Sequence, residues 1–389
     1  MKGRFQHIID NQAQFIALRR DLHQHPETGL EELRTSNIVA EKLRSWGYKV
    51  HRGMAKSGVV GTLKVGRGGK TLGLRAAMNA LSAQEQSDKP WCSRTDGKFH
   101  GCGHDGHTAM LLCAAEYLAK TQRFNGMLHL IFQPGEELLS GSQLMLQDGL
   151  FQRFPCEAIY ALHTMPGLKK GHFYFNTGAI MASSDTLHIA ISGKGGHGAF
   201  PEKTVDATLV ACQIVLALQT IVARNVSPFS PAAITIGSLC SGQTANIING
   251  SALLKLSVSA LDNKVRQQLL KRVGDIVHGQ AQSFGAKVKI ERINGSPALV
   301  NDPTATGFAI NVAQELVGES RVWTHTAPVM GSEDFAFMLT ENPHGSYLFL
   351  GAGDEPERAM LYHPGYDFDD ELIAPGAIFF SHLAERFLS

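Results

Sequence analysis

The stretch HTAMLLCAAEYLAKTQRFNGMLHLIFQPGEE, residues 107–137, shows the architecture of the chain most clearly. Its first part, 107–120, predicts a helix, and the apolar run over 127–134 predicts a strand. Further strands are predicted on both sides, over 58–65, 71–78 and 158–164. Short strands that alternate with helices indicate an α/β domain built around a central sheet.

The pattern changes near Ser184. From 184 to 296 the predicted order is strand, helix, strand, strand, helix, strand, which is typical of a ferredoxin-like α+β domain. The prolines of SPALVNDP (296–303) interrupt regular structure, so this segment serves as the return linker. The sequence therefore predicts a discontinuous chain, in which an α/β domain of residues 1–183 and 297–389 is interrupted by an inserted domain of residues 184–296.

Composition and charge narrow the class of protein. The 389 residues include 36 Lys+Arg, 35 Asp+Glu and 17 His, with a formal net charge of +1. A protein that binds nucleic acid or an acidic membrane surface carries a basic excess, so neither partner is expected. The first residues lack the apolar run of a signal peptide, which predicts a cytoplasmic protein with free thiols. The apolar stretch 207–223 contains two glutamines and is expected in a core or a subunit interface rather than in a membrane.

The densest group of candidate ligands is HGCGHDGH at 100–107, directly before the predicted helix. Its glycines allow a tight turn, so Cys102 and His104 can converge on one point. Thiolate and imidazole are ligands for divalent zinc, manganese or nickel, and Asp105 could orient an imidazole by a hydrogen bond. The alternative is a turn with solvated histidines.

A second candidate group is QPGEE at 133–137, where two carboxylates follow the apolar strand. One of them can bind a metal while the other holds a water as general base, although adjacent glutamates are also common on solvated faces. His163 ends a predicted strand and His363 lies near the C-terminus; a lone histidine is more often structural. Together the candidates supply enough donors for two divalent ions with open positions for water, and they are Cys102, His104, Glu137, His163 and His363.

Nine ordered motifs across almost the whole chain resemble the metal-dependent aminoacylase/carboxypeptidase/amidohydrolase family, in the branch of hippurate hydrolases and plant indole-acetyl-amino-acid hydrolases. They are LRRDLHQHPETGLEE (18–32), HGCGHDGHTAMLL (100–112), LIFQPGEE (130–137), ALHTMPGLKKG (161–171), MASSDT (181–186), GKGGHGAFP (193–201), LQTIVARNVSP (218–228), MGSEDFAFM (330–338) and YHPGYDFDDE (362–371).

The resemblance implies a catalytic α/β domain with two divalent ions per subunit, of zinc, manganese, nickel or cobalt. Cys102 would bridge the ions, and the other ligands would be His104, Glu137, His163 and His363. Glu136 would be the general base that activates the attacking water.

The resemblance also implies roles for the inserted domain as a lid and as the contact of a homodimer. His197 would stabilise the tetrahedral oxyanion, and Arg224 and Asn246 lie in segments that approach the substrate. The expected substrate is a small N-acyl amino acid, such as an N-acetyl or N-benzoyl compound, whose amide bond is hydrolysed.

One segment departs from the family pattern. The family usually reads RADMDAL where residues 75–81 of this chain read RAAMNAL, so Ala77 and Asn79 replace two aspartates. An aspartate that orients a ligand imidazole holds it more firmly than an amide does. This departure is the basis of an alternative prediction, a catalytically impaired paralogue that binds an acylated small molecule or a protein partner.

Overall fold

The helices and strands are known from a computed structural model, which describes residues 3–389. In chain order the helices are α1 (Gln6–Gln24), α2 (Leu33–Ser45), α3 (His104–Thr121), α4 (Gly141–Gln147), α5 (Leu150–Arg153), α6 (Ala207–Asn225), α7 (Asn263–Ser283), α8 (Pro303–Val317), α9 (Phe335–Glu341) and α10 (Ile373–Phe387). The strands are β1 (Lys49–Met54), β2 (Gly58–Val65), β3 (Thr71–Ala77), β4 (Gly126–Gln133), β5 (Ala158–Met165), β6 (Phe173–Tyr174), β7 (Gly178–Met181), β8 (Ser183–Ser192), β9 (Gly196–His197), β10 (Ala232–Cys240), β11 (Ile247–Ile248), β12 (Ser251–Ala260), β13 (Lys287–Ser296), β14 (Leu299–Asn301), β15 (Val322–Trp323) and β16 (Gly345–Gly351).

The chain divides into two compact units. One comprises the chain up to Ile180 together with Val300–Ala327 and Asp334–Ser389, and the other comprises Met181–Leu299 and Pro328–Glu333. The predicted insertion, 184–296, lies within the second unit.

The first unit is built on an eight-stranded mixed sheet of order β1-β2-β4-β3-β5-β16-β6-β15. Its centre is parallel, because β3 pairs in parallel with both β4 and β5, and β5 pairs in parallel with β16. Parallel central strands are covered on both faces, and all residues of β16 are accordingly buried. This architecture confirms the predicted α/β class, and it aligns the carboxyl ends of β3, β4 and β5 at one edge.

The helix α3 is the centre of the helical layer. Its residues from His104 to Leu118 are all buried, because it packs against α1, α10 and β3. The helix was predicted over 107–120, but it begins at His104, so the first turn already carries candidate ligands. Gly103 precedes it with φ +82°, a left-handed conformation that glycine adopts without a steric penalty.

The second unit has the predicted βαββαβ order. Its four strands β10-β12-β8-β13 form an antiparallel sheet, and α6 and α7 both pack on it. Burial alternates along β12, as a sheet with one covered face requires. Asp206 and Asp262 cap α6 and α7 by accepting hydrogen bonds from the first free backbone N–H groups.

Among residues 3–389, only α6 has the length and apolar composition that could cross a membrane. Val210, Ile214 and Leu218 on this helix are buried in the core of the second unit. Such a helix is weak evidence for a membrane segment, because core helices of folded domains have the same composition.

Candidate metal centre

Three donor side chains of the first unit meet at the carboxyl edge of the sheet. The ligand atoms of Cys102, His104 and His163 lie within 4.8 Å of one another, and all three residues are buried. The Cys102 Sγ atom is 3.4 Å from His163 Nε2, although 61 positions separate the two residues in sequence. The left-handed Gly103 lets Cys102 and His104 reach this point from opposite sides of a single turn.

Hydrogen bonds fix the orientation of both histidines. His104 Nδ1 lies 2.9 Å from the Asn79 backbone oxygen, and His163 Nδ1 lies 2.7 Å from the Thr164 backbone oxygen. A carbonyl oxygen can only accept, so each Nδ1 carries the proton and donates it. Each Nε2 is then the nitrogen with the lone pair, which is the arrangement of histidines that bind metals.

A second set of donors adjoins the first. Glu136 and Glu137 form a 3-10 turn after β4, and the ligand atoms of His104, Glu136 and Glu137 also lie within 4.8 Å of one another. The turn follows Gly135, whose φ of +64° points the chain back toward the cluster. Because His104 belongs to both sets, the five side chains form one connected group. Thiolate, imidazole and carboxylate together suit zinc and other divalent transition metals, so these residues fit a metal centre.

Residue 79 acts here through two different groups. Its backbone oxygen accepts from His104, whereas its side-chain Oδ1 accepts a hydrogen bond from the Glu136 N–H at 2.9 Å. The orientation of the His104 imidazole therefore does not depend on an aspartate at position 79. This finding weakens the reason for the predicted impaired paralogue, because an asparagine oxygen also holds Glu136 in place.

Asp105 pairs with residues outside the ligand group. Its Oδ2 accepts hydrogen bonds at 2.8 Å from Arg19 Nε and from His23 Nδ1, so the imidazole that it orients is that of His23. Burial opposes ionisation of Asp105, but the charge of Arg19 and the neighbouring histidines together outweigh it and hold the pKa of the carboxyl well below its usual value. Desolvation likewise lowers the pKa of His23, but hydrogen bonds to Asp105 and Glu85 outweigh it and raise this pKa to about 9.

His107 has a different role from its neighbour His104. Its Nε2 accepts a hydrogen bond from the Thr164 N–H at 3.0 Å, and its ring packs edge-on against His163 at 4.4 Å between centroids. Burial and the neighbouring His163 and His104 keep its pKa well below the usual value, so His107 is neutral. It supports the position of the candidate ligand His163 and is not itself one of the converging donors.

His363, unlike the other predicted ligands, lies outside the group of converging donors. It is exposed, its Nδ1 accepts a hydrogen bond from the Gly365 N–H at 3.0 Å, and it belongs to none of the donor groups found among residues 3–389. Its neighbour Tyr362 reaches the group instead and donates from its hydroxyl to Glu137 Oε2 at 2.6 Å. His363 as a ligand therefore stays a prediction.

The remaining predicted site residues lie in the second unit. His197 is exposed on β9, which pairs with β11, and the Gly198 N–H donates to the Asn246 backbone oxygen at 2.9 Å. His197 and Asn246 are thus neighbours. Arg224 lies in the last turn of α6, outside that two-stranded sheet.

Sequence reasoning missed Tyr362 and the double role of Asn79. Tyr362 lies next to the predicted ligand His363 in YHPGYDFDDE, and a tyrosine is a less common metal ligand than a histidine. In the sequence, Asn79 indicates only the loss of an aspartate from the family pattern. The role of its backbone oxygen leaves no mark in the sequence.

Comparison with known proteins identifies the family. The model of peptidase family M20/M25/M40 matches residues 73–386. A hippurate hydrolase of Campylobacter jejuni is 42% identical over 381 residues, which cover 98% of both chains. An N-acetyl-L-cysteine deacetylase of Bacillus subtilis is 34% identical and covers 96% of this chain and 88% of its own.

Solved structures agree with this result. A putative aminohydrolase from methicillin-resistant Staphylococcus aureus superposes with a TM-score of 0.91 at 28% identity, over the full length of both chains. A Bacillus subtilis protein described as a dinuclear metal-binding peptidase of family M20 has a TM-score of 0.82 at 28% identity, with 97% of this chain and 98% of the other covered. The chain belongs to peptidase family M20/M25/M40, in its aminoacylase and amidohydrolase branch. It is a metal-dependent amidohydrolase.

Proposed function

We propose that this enzyme hydrolyses the amide bond of small N-acyl amino acids, releasing a carboxylic acid and an amino acid. The observation that carries the proposal is the buried group of Cys102, His104 and His163 directly beside Glu136 and Glu137. Similarity to a hippurate hydrolase and to an N-acetyl-L-cysteine deacetylase supports acylated amino acids as the substrate class.

Two divalent ions would be held by Cys102, His104, Glu137 and His163 of this group. His363 is the proposed fifth ligand, and zinc, manganese, nickel and cobalt all suit this donor set. Bound metal supplies a Lewis acid that polarises the amide carbonyl and makes a water more acidic.

Glu136 moves the proton in this scheme. Its carboxylate accepts a proton from the attacking water and later delivers it to the nitrogen of the leaving amine. The Asn79 side chain holds the Glu136 backbone at 2.9 Å, and the Asp334 N–H donates to Glu136 Oε1 at 3.4 Å. These contacts restrict the carboxylate to one region of the site, which is what a base needs for repeated proton transfer.

The second unit would supply the oxyanion donor and the subunit contact. His197 would donate to the oxyanion, and Asn246 and Arg224 would approach the substrate. On α6, Leu216 is 64% exposed and Leu209 is 48% exposed, so an apolar face of this helix is available for a second copy of the chain in a cytoplasmic homodimer.

A substrate panel tests the main proposal. The purified enzyme, loaded with Mn, Zn, Co or Ni, is assayed on N-acetyl, N-benzoyl and indole-acetyl amino acids. We expect turnover of at least one substrate, and Glu136→Gln should abolish it while the bound metal, measured by elemental analysis, is retained. Glu157→Gln, at an exposed glutamate, is the matched control.

Two results would contradict this assignment. Absence of turnover on every substrate, with no gain when Ala77 and Asn79 are both changed to Asp, would argue against an active hydrolase. Joint loss of metal and activity in Glu136→Gln would show that Glu136 and Glu137 do not divide their roles as proposed.

The roles in the second unit have separate tests. His197→Ala should lower turnover without loss of metal, whereas His278→Ala, at an exposed histidine of α7, should not. Leu216→Glu should convert the dimer to a monomer in light scattering. Leu33→Glu, at a leucine 62% exposed in the first unit, should leave the mass unchanged. A wild-type monomer would contradict the proposed dimer.

A further inference from the structure

The loop before α10 reaches the metal group through a tyrosine. Tyr362 donates from its hydroxyl to Glu137 Oε2 at 2.6 Å, a short distance that is typical of a hydrogen bond to a charged carboxylate. Its backbone N–H donates to the Gly101 oxygen at 2.8 Å, one residue before Cys102. A single residue therefore contacts both motifs that build the site, the turn with Cys102 through its main chain and Glu137 through its side chain.

The backbone of Tyr362 is held in an unfavourable conformation. Its φ is +66°, in the left-handed region, which costs a residue with a side chain about 1–2 kcal/mol. Such a conformation persists only where surrounding contacts enforce it, and it is concentrated at functional sites. Tyr362 is 54% exposed, so its side chain is only partly packed. Its hydrogen bonds to Gly101 and Glu137 are contacts that can hold this conformation.

The neighbouring histidine does not make the same contacts. His363 Nδ1 accepts from the Gly365 N–H within its own turn, and its backbone N–H donates to Met360. The loop thus directs the side chain of residue 362 toward Glu137.

We propose that Tyr362 is a positioning residue for Glu137, whose hydroxyl fixes one carboxylate oxygen and so orients the other toward the metal. The inference rests on the proposed function only in taking Glu137 as a ligand. A partner that orients a metal-binding side chain contributes about 10–100-fold in metal affinity. The hydroxyl should therefore raise the affinity for the metal bound by Glu137, with little effect on metal binding by Cys102.

The test is a metal titration of the resting protein. Zn²⁺ and Mn²⁺ affinities are measured by competition with a chelating dye, for the wild type and for Tyr362→Phe. We expect the variant to bind about 10–100-fold more weakly. In the cobalt-loaded protein, the thiolate charge-transfer absorption of Cys102 should stay unchanged. Tyr117→Phe is the matched control. The Tyr117 hydroxyl, near the end of α3, also donates to a glutamate, Glu385 Oε1 at 3.0 Å, but it does not contact the motifs of Cys102 and Glu137.

A double-mutant cycle separates positioning from a general structural effect. If Tyr362 acts through Glu137, Tyr362→Phe should have no further effect on metal affinity in a Glu137→Gln background. The thermal midpoint of each metal-free variant shows whether it is folded. If Tyr362→Phe were unfolded, the same cycle with Tyr362→Leu replaces it, and the same outcomes apply.

Three results would overturn the inference. They are wild-type metal affinity in Tyr362→Phe, an equal loss in the Glu137→Gln background, and a tyrosinate difference absorption on metal addition, which would make Tyr362 a ligand in its own right. The proposed function fails separately. A wild type whose metal affinity depends on Tyr362 through Glu137, but which hydrolyses no substrate, would refute the activity and leave this inference intact.

Discussion

The buried charge network beside the candidate metal group allows a strong prediction for Arg19. This side chain is fully buried, and it donates from Nε to Asp105 at 2.8 Å and from Nη2 to Asp367 at 2.5 Å. Arg19→Met keeps much of the volume but removes the cation, which leaves the buried Asp105 with His23 as its remaining cationic partner. Removal of one partner from a buried ion pair costs about 3–5 kcal/mol. Because His23 stays, we expect a loss of about 3 kcal/mol.

The adjacent arginine is a matched control for this experiment. Arg20 also pairs with Asp370, at 2.8 Å, and its guanidinium lies over the ring of Trp91, but its side chain is 40% exposed. Exposed ion pairs contribute about 0–1 kcal/mol, so Arg20→Met should cost no more than about 1 kcal/mol.

The free energy of unfolding of both variants is measured on the metal-free protein, by calorimetry and by chemical unfolding. For a domain of this size, about 3 kcal/mol corresponds to a fall in the melting temperature of roughly 6–12 °C. Adding Asp105→Asn to Arg19→Met should recover part of the loss, since the unpaired charge is then removed. A loss in Arg19→Met no larger than in Arg20→Met would refute the view that Asp105 depends on this buried cation.

Three further predictions concern the same fold. The pKa of His23 is raised from 6.5 to about 9 in the folded protein, so its contribution to stability is complete below pH 6.5 and is lost as the pH rises through 9. In unfolding experiments at a series of pH values, His23→Gln should flatten this decline in stability. An unchanged pH profile in the variant would contradict the prediction. Asn79→Ala removes the acceptor of the buried Glu136 N–H, so it should lower the free energy of unfolding by about 1–3 kcal/mol and also reduce turnover. Asn79→Asp keeps an acceptor oxygen and should preserve both stability and turnover in unfolding and activity assays. Asp185→Ala leaves Arg266 without its bidentate partner and should destabilise the second unit by about 3 kcal/mol in calorimetry, so a loss below 1 kcal/mol would argue against this pair as a major contributor.

Local patterns in the sequence predicted most of the architecture. The strands predicted over 58–65 and 158–164 are found at Gly58–Val65 and Ala158–Met165, and the βαββαβ order of the insertion is present. These patterns are reliable because they arise from burial: central parallel strands are continuously apolar, and half-covered strands alternate. The predicted start of α3, at residue 107, is three residues later than the observed start at His104. The glycine-rich segment before it lacks the usual sequence signals of a helix N-terminus.

The candidate metal group was only partly predictable. The turn with Cys102 and His104 and the pair of glutamates are short motifs, so their donor chemistry can be read directly. His163 joins them in the structure because the parallel register of β3, β4 and β5 ends at one edge of the sheet. No spacing rule links His163 to Cys102 across 61 positions.

The order of the elements, the family and the set of available donors follow from the amino-acid sequence alone. What each group contacts depends on the folded structure: the backbone of Asn79 orients His104, its side chain holds Glu136, and Tyr362 rather than His363 reaches Glu137. This difference arises because hydrogen-bond partners depend on the direction of main-chain groups and on single backbone dihedrals, such as φ +66° at Tyr362. Long-range contacts of the whole fold set these directions, and residue types and periodicity do not encode them locally.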